Sequence, residues 1–187
     1  MFVVIVALES ELSSKCIPAG VQVVHAGVGK INAALATQQA IVRHQPRLVL
    51  NYGTAGRISA RAHGLLQVQA VIQRDMQTEP LAPRGVTPFS AASARIESGC
   101  SGIVCASGDS FVTAPDPWLV AQGVDVVDME LFAVAEACRR QGVAWRGYKF
   151  VTDGADEGAA DDWQARVGDG EALFLEQLEQ VLAEPGG

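Results

Sequence analysis

A chain of 187 residues with 49% hydrophobic and 19% charged side chains can bury a sizeable core and is too apolar to stay disordered. Its formal net charge of −7 argues against a nucleic-acid polymer or an anionic membrane as partner. Ten of the 21 acidic residues lie from Asp153 onward, where Arg166 is the sole base, and that stretch reads as a solvated acidic face.

The length suits one domain over residues 1–187. Cys16, Cys100, Cys105 and Cys138 form no CxxC pair and no Cys/His cluster with zinc-like spacing, so free thiols in a reducing cytoplasm are expected. The apolar run Phe2 to Leu8 has no basic leader and is too short to cross a bilayer; a cytoplasmic protein is expected.

In chain order, that β-branched run is a strand buried on both faces, ending at Glu9-Ser-Glu11. A short strand from Val21 to His25 leads into the turn Gly27-Val-Gly29. A helix follows, with Ile31, Ala34, Leu35 and Gln38 on successive turns. Gly27-x-Gly29 lacks the third glycine and the later acid of a dinucleotide fingerprint, so it reads as a tight strand-to-helix turn. Arg47 to Gly56 is a buried strand running into a Gly-Thr-Ala-Gly turn, where small residues let backbone N–H groups approach a ligand. Leu65 to Gln73 is a strand; Thr78 to Ser90, with three prolines, is a loop; Ser101 to Phe111 is a strand ending in a glycine turn.

Asp125 to Gly142 reads as a short strand entering an amphipathic helix. Asp128 is its N-cap, and Leu131, Val134, Ala135 and Cys138 are its apolar face. Arg139, Arg140 and Gly142 close its C-terminus. Glu130 falls in the first turn, where the dipole favours its ionised form; taken alone it either starts the helix or is a ligand group. Trp145 to Asp153 is the last strand and Ala165 to Ala183 the final helix.

Alternating strands and helices predict an α/β fold, a three-layer α/β/α sandwich around a mainly parallel, mixed sheet. Right-handed crossovers place the strand ends along one edge, where open α/β sheets bind ligands. Glu11, Thr54, Phe111, Glu130 and Asp153 all follow strand ends, so three carboxylates and an aromatic converge on one crevice without a metal-ligand set. Each carboxylate alone also has a structural explanation, as a surface acid, a turn residue or a cap.

Six motifs in order carry a resemblance: Ala7-Leu-Glu-Ser-Glu11, Gly27-Val-Gly-Lys-Ile-Asn-Ala-Ala34, Asn51-Tyr-Gly-Thr-Ala-Gly56, Ser107-Gly-Asp-Ser-Phe111, Val127-Asp-Met-Glu130 and Thr152-Asp-Gly-Ala-Asp156. From Met1 to about Trp163 the chain resembles purine nucleoside phosphorylase-type hydrolases, nearest to the 5′-methylthioadenosine/S-adenosylhomocysteine nucleosidases. The resemblance implies that Glu11 deprotonates the attacking water and that Asp153 hydrogen-bonds purine N7 and supports its departure. It makes Met129 and Glu130 the ribose-binding pair. Phe111 stacks on the base, with a backbone contact from Val112. Val28, Thr54, Ala55 and Gly56 wall the ribose and nucleophile, and Trp163 corresponds to an aromatic closing over the pocket. Lys149 is placed among the substrate contacts, standing where many bacterial nucleosidases carry Arg. Leu131 and Phe132 replace small residues after the Met-Glu pair.

Cleaving an N-glycosidic bond builds positive charge on the sugar and negative charge on the base; a carboxylate acting on water and an acid at the leaving group meet both demands. The expected function is therefore hydrolysis of a purine nucleoside to base and sugar, with no metal or organic cofactor, in a homo-oligomer, a dimer at least. The loop Thr78 to Ser90, with Phe89, is a candidate for the contact between chains. Two alternatives stand beside it. One is a phosphorylase, which needs a basic phosphate cradle where this chain has Glu9-Ser-Glu11; the other is a non-catalytic nucleoside-binding protein.

Overall fold

The computed structural model describes residues 1–154, 163 and 166–184. Asp156, the end of the sixth motif, and Ala165, where the final helix was expected to begin, lie outside them. In chain order the elements are β1 (Phe2–Val6), β2 (Val21–His25), α1 (Lys30–His44), β3 (Leu48–Arg57), β4 (Leu65–Gln73) and β5 (Arg95–Glu97). These are followed by β6 (Ile103–Ser107), α2 (Pro117–Ala121), β7 (Val126–Asp128), α3 (Leu131–Gln141), β8 (Ala144–Asp153) and α4 (Glu171–Ala183).

The sheet runs β2-β1-β3-β7-β6-β4-β5, and β8 pairs with both β3 and β4. The pairs β1–β2, β1–β3, β3–β8, β4–β6 and β6–β7 are parallel; β3–β7, β4–β5 and β4–β8 are antiparallel. This is the mainly parallel, mixed sheet the sequence predicts. Strands β3, β8, β4, β6 and β7 thereby close a circuit, from which β1 and β2 extend.

Both faces are covered because the strands are apolar on both. Val3 and Ile5 point into a core with Ala33 and Ile41 of α1 and Leu131, Val134 and Cys138 of α3. Their neighbours Phe2, Val4 and Val6 pack on the other side with Phe174, Leu178 and Val181 of α4. Phe174 stacks on Tyr52 with ring centroids 4.3 Å apart. Each such large apolar side chain contributes roughly 1.5–3 kcal/mol by leaving water.

Three local expectations need correction. The residues Gly53-Thr-Ala-Gly56 are not a turn: β3 continues through them to Arg57, because β8 pairs alongside up to a register shift between Ala55 and Gly56. The face of α1 that carries Ile31 and Leu35 is exposed, and the helix instead buries Ala33, Thr37, Ala40 and Ile41. Small residues there allow α1 to lie close against α3 over the sheet. The helix α3 starts at Leu131 rather than at Asp128, with Glu130 at the cap position. Asp128 still caps it from the end of β7, its Oδ2 accepting the Leu131 N–H at 2.8 Å.

Candidate active site

The split edge of β3 makes the site. β1 pairs with β3 only as far as Asn51, and β7 takes up the same edge only at Gly56. Between them the strand edge faces open space, and the Thr54 N–H finds a side chain instead of a ladder partner. That side chain is Glu11, whose Oε1 accepts from Thr54 N at 2.9 Å and from Thr54 Oγ1 at 2.8 Å. Glu11 stands in the turn after β1, and its Oε2 accepts the Leu8 N–H at 3.1 Å. It is 4% exposed. Three donors thus fix a nearly buried carboxylate and leave one oxygen lone pair for a further partner.

A cavity of about 230 Å³ opens beside Glu11. Its wall near Glu11 is Val28, Thr54, Ala55, Gly56 and Trp163. The indole Nε1 of Trp163 donates to Thr54 Oγ1 at 2.8 Å. Asp153, the last residue of β8, also lines the cavity and accepts from Thr152 Oγ1 at 3.0 Å. The register shift at Ala55/Gly56 skips Thr152, so that Asp153 rather than its neighbour sits opposite Gly56. Phe111, 49% exposed, and Val112 form the far wall, with Met129 and Glu130 along the side.

Glu130 departs from its sequence reading. Its carboxylate turns away from the helix that follows, and Oε1 accepts the Gly29 N–H at 2.9 Å. Gly29 has φ 95°, a left-handed conformation that suits glycine, and it presents its N–H to the site. The carboxyl is not held ionised by the dipole. Burial, then the negative charge of Asp128, push it up to about 7, against the opposing pull of Lys149 and the Gly29 N–H.

Lys149 is the second correction. It is fully enclosed and not part of the cavity wall; its Nζ pairs with Asp128 Oδ2 at 2.7 Å. Asp128 also accepts the Ser107 hydroxyl, across the β6–β7 pair, and the Cys105 thiol at 3.4 Å. Burial alone would raise the Asp128 carboxyl, but Lys149 and the hydrogen bonds from Ser107 and the Leu131 N–H outweigh it and hold the group below the usual carboxylate range. Lys149 therefore acts as a counter-ion behind the wall. Leu131 is also buried, packed under Gly147, and does not reshape the cavity.

Sequence reasoning missed Arg74. It follows β4, lines the cavity and is 5% exposed. Its Nη2 donates to the carbonyls of Gly108 and Ser110, and its Nη1 to Ser110 Oγ at 3.1 Å. Next to it Asp75 pairs with Lys30 Nζ at 2.5 Å and accepts the Asp109 N–H at 2.9 Å. Together they brace the turn that delivers Phe111. The signal was an Arg-Asp pair placed directly after a buried strand. Among the described residues no group of three His, Cys, Asp or Glu side chains is placed to hold a metal ion, and no helix is long and apolar enough to cross a membrane.

A family model for the phosphorylase superfamily matches residues 19–184. Over 164 residues the chain is 27% identical to a 5′-methylthioadenosine/S-adenosylhomocysteine nucleosidase of Exiguobacterium sp., covering 74% of this chain and 70% of that protein. It is 26% identical over 184 residues to an aminodeoxyfutalosine nucleosidase of Helicobacter pylori, covering 86% and 80%. The structure of a futalosine hydrolase of Helicobacter pylori superposes with a TM-score of 0.87 at 22% identity, over 98% of this chain and 97% of that one, a likeness of fold.

Proposed function

The chain belongs to the phosphorylase superfamily, and we propose that it is a purine nucleosidase, using water to break the N-glycosidic bond of a purine ribonucleoside. Glu11 accepts a proton from the attacking water. Glu130, ionised above about pH 7, accepts hydrogen bonds from the sugar hydroxyls beside Met129. Phe111 stacks on the base, Val112 adds a backbone contact, and Asp153 serves N7 of the leaving purine. Each acid–base partner contributes about a hundred- to ten-thousand-fold in rate.

The observation that supports hydrolysis over phosphorolysis is Glu11 itself. Phosphate would have to enter a pocket where Glu11, Asp128, Glu130 and Asp153 all contribute to the wall. Among the described residues the cation lining it, Arg74, already donates to Gly108 and Ser110. Water carries no charge and meets no such barrier.

The substrates in the relatives' names set the panel: 5′-methylthioadenosine, S-adenosylhomocysteine, aminodeoxyfutalosine and futalosine. Purified protein is to be incubated with each, with and without phosphate, and assayed for free base, free sugar and sugar 1-phosphate. Base and free sugar at a phosphate-independent rate are expected. Strict phosphate dependence would make the protein a phosphorylase, and binding without turnover a nucleoside-binding protein.

The same reading includes a single domain, a cytoplasmic setting and a homo-oligomer. Exposed apolar residues support the last: Ile31 and Leu35 on α1, and Leu81 and Phe89 in the proline-rich loop. A monomeric mass by light scattering at micromolar concentration, with full activity, would count against it.

A further inference from the structure

Glu11 is held through Thr54, and Thr54 is held in turn. Its hydroxyl has one proton and two lone pairs, and the two neighbours place opposite demands on it. Glu11 Oε1, 2.8 Å away, receives the proton. Trp163 Nε1, also 2.8 Å away, is an indole N–H that donates and never accepts. The hydroxyl therefore has one orientation that satisfies both neighbours. Without the indole N–H it is a free rotor whose proton can turn toward a water or the bound sugar, leaving Glu11 Oε1 with the Thr54 N–H alone.

We infer that Trp163 is a positioning residue for the water-activating step: its N–H fixes the Thr54 hydroxyl, which fixes the direction in which Glu11 offers its remaining lone pair to the attacking water. This rests on the nucleosidase reading. Trp163 also lines the cavity, so a simple wall role is the competing explanation, and the two separate cleanly. A wall needs the ring; the relay needs the N–H. A second contact lies nearby: Arg166 Nη1 donates to the Thr152 carbonyl at 3.0 Å, beside Asp153. The pocket's two proposed acid–base groups are thus both approached by polar contacts from residues 163 and 166.

The test removes the N–H and keeps the shape. Trp163 is replaced by 3-benzothienylalanine, in which sulfur stands for the N–H, and separately Trp163→Phe and Thr54→Val are made alone and together. With an active parent, the benzothienyl variant should lose roughly two- to tenfold in single-turnover rate, the weight of one neutral hydrogen bond, while KM moves less than about twofold. Trp163→Phe should slow a Thr54→Val background by less than about twofold, because the hydroxyl it acts through is already gone. A Thr54→Ser background, which keeps a hydroxyl, should restore the full Trp163→Phe effect. Full rate in the benzothienyl variant, a loss confined to KM, or additive losses in the double variant would each overturn the relay and leave the nucleosidase reading standing. A parent that cleaves no nucleoside overturns both.

Discussion

Lys149→Met breaks the ion pair behind the site and leaves Asp128 alone in the interior. At 2.7 Å, with both side chains fully enclosed, the gross attraction is about 6 kcal/mol at an effective dielectric of about 20. Desolvation of both groups offsets part of this. Removing one partner of a buried pair costs about 3–5 kcal/mol, because the remaining charge keeps its desolvation penalty. For a protein of this size each kcal/mol lowers Tm by about 2–4 °C, so a drop on the order of 6–20 °C is expected at pH 7. The assay is thermal unfolding by circular dichroism for the parent, Lys149→Met, Asp128→Asn and the double variant. The double variant should be more stable than Lys149→Met, since it carries no orphaned carboxylate. Lysine holds the Asp128 carboxyl below its ordinary range. In the parent the pair's contribution is therefore present above the unfolded carboxylate value and lost only as pH falls through the lower folded value. In Lys149→Met the carboxyl takes up a proton readily, so the gap to the parent should narrow from pH 7 to pH 5. A drop of under about 3 °C at pH 7, or a double variant with the sum of both losses, would refute the assignment of Lys149 as counter-ion.

Glu130, raised to about 7, should give kcat/KM a rise with pH from about 6 to 8, and a profile flat there would remove it from sugar binding. Its sign in stability is opposite to that of Asp128. A folded value above the ordinary 4.5 means the fold holds a proton the unfolded chain has lost, so this contribution is present below about 4.5 and declines as pH rises toward 7; Glu130→Gln should flatten that decline in a Tm-versus-pH series. Gly29→Ala adds a Cβ at φ 95° and 3.3 Å from Asp109 Oδ1, which should cost about 1–3 kcal/mol and raise KM by displacing the N–H under Glu130; an unchanged Tm and KM would contradict this. Asp153→Asn should slow cleavage of adenine and hypoxanthine nucleosides far more than that of a nucleoside whose base departs without N7 protonation, and equal slowing of both would deny Asp153 the leaving-group role.

Much of the fold is legible because β-branched runs and helical spacing report burial directly. The strand Leu65–Gln73 and the buried face of α3, Leu131, Val134, Ala135 and Cys138, were readable in this way. The α1 face was not, because periodicity shows which residues align but not which stripe turns inward, and here close packing against α3 selects Ala33, Thr37 and Ala40 over Ile31 and Leu35. Gly53-Thr-Ala-Gly56 has the composition of a turn; only its pairing with β8, nearly a hundred residues later in the chain, makes it a strand with an open edge. At the site, eleven of the twelve residues named from the resemblance line one cavity, nine of them inside the six motifs. Lys149 lies behind the wall, and a cation in a strand, as Lys149 and Arg146 both are in β8, looks the same in sequence whether it faces a ligand or a buried acid. Asp128, read as a helix cap, proved to be that acid as well, and Arg74 lay outside the six motifs, marked only by the Arg-Asp pair after β4.

Hydrolysis in ¹⁸O-labelled water without phosphate shows whether water is the nucleophile, read by mass spectrometry of the sugar under single-turnover conditions. One ¹⁸O at the anomeric carbon is expected for each base released, at a rate cut by about a hundredfold or more in Glu11→Gln while a nucleoside analogue still binds. Sugar 1-phosphate formed only on adding phosphate, or a Glu11→Gln variant as fast as the parent, would contradict it.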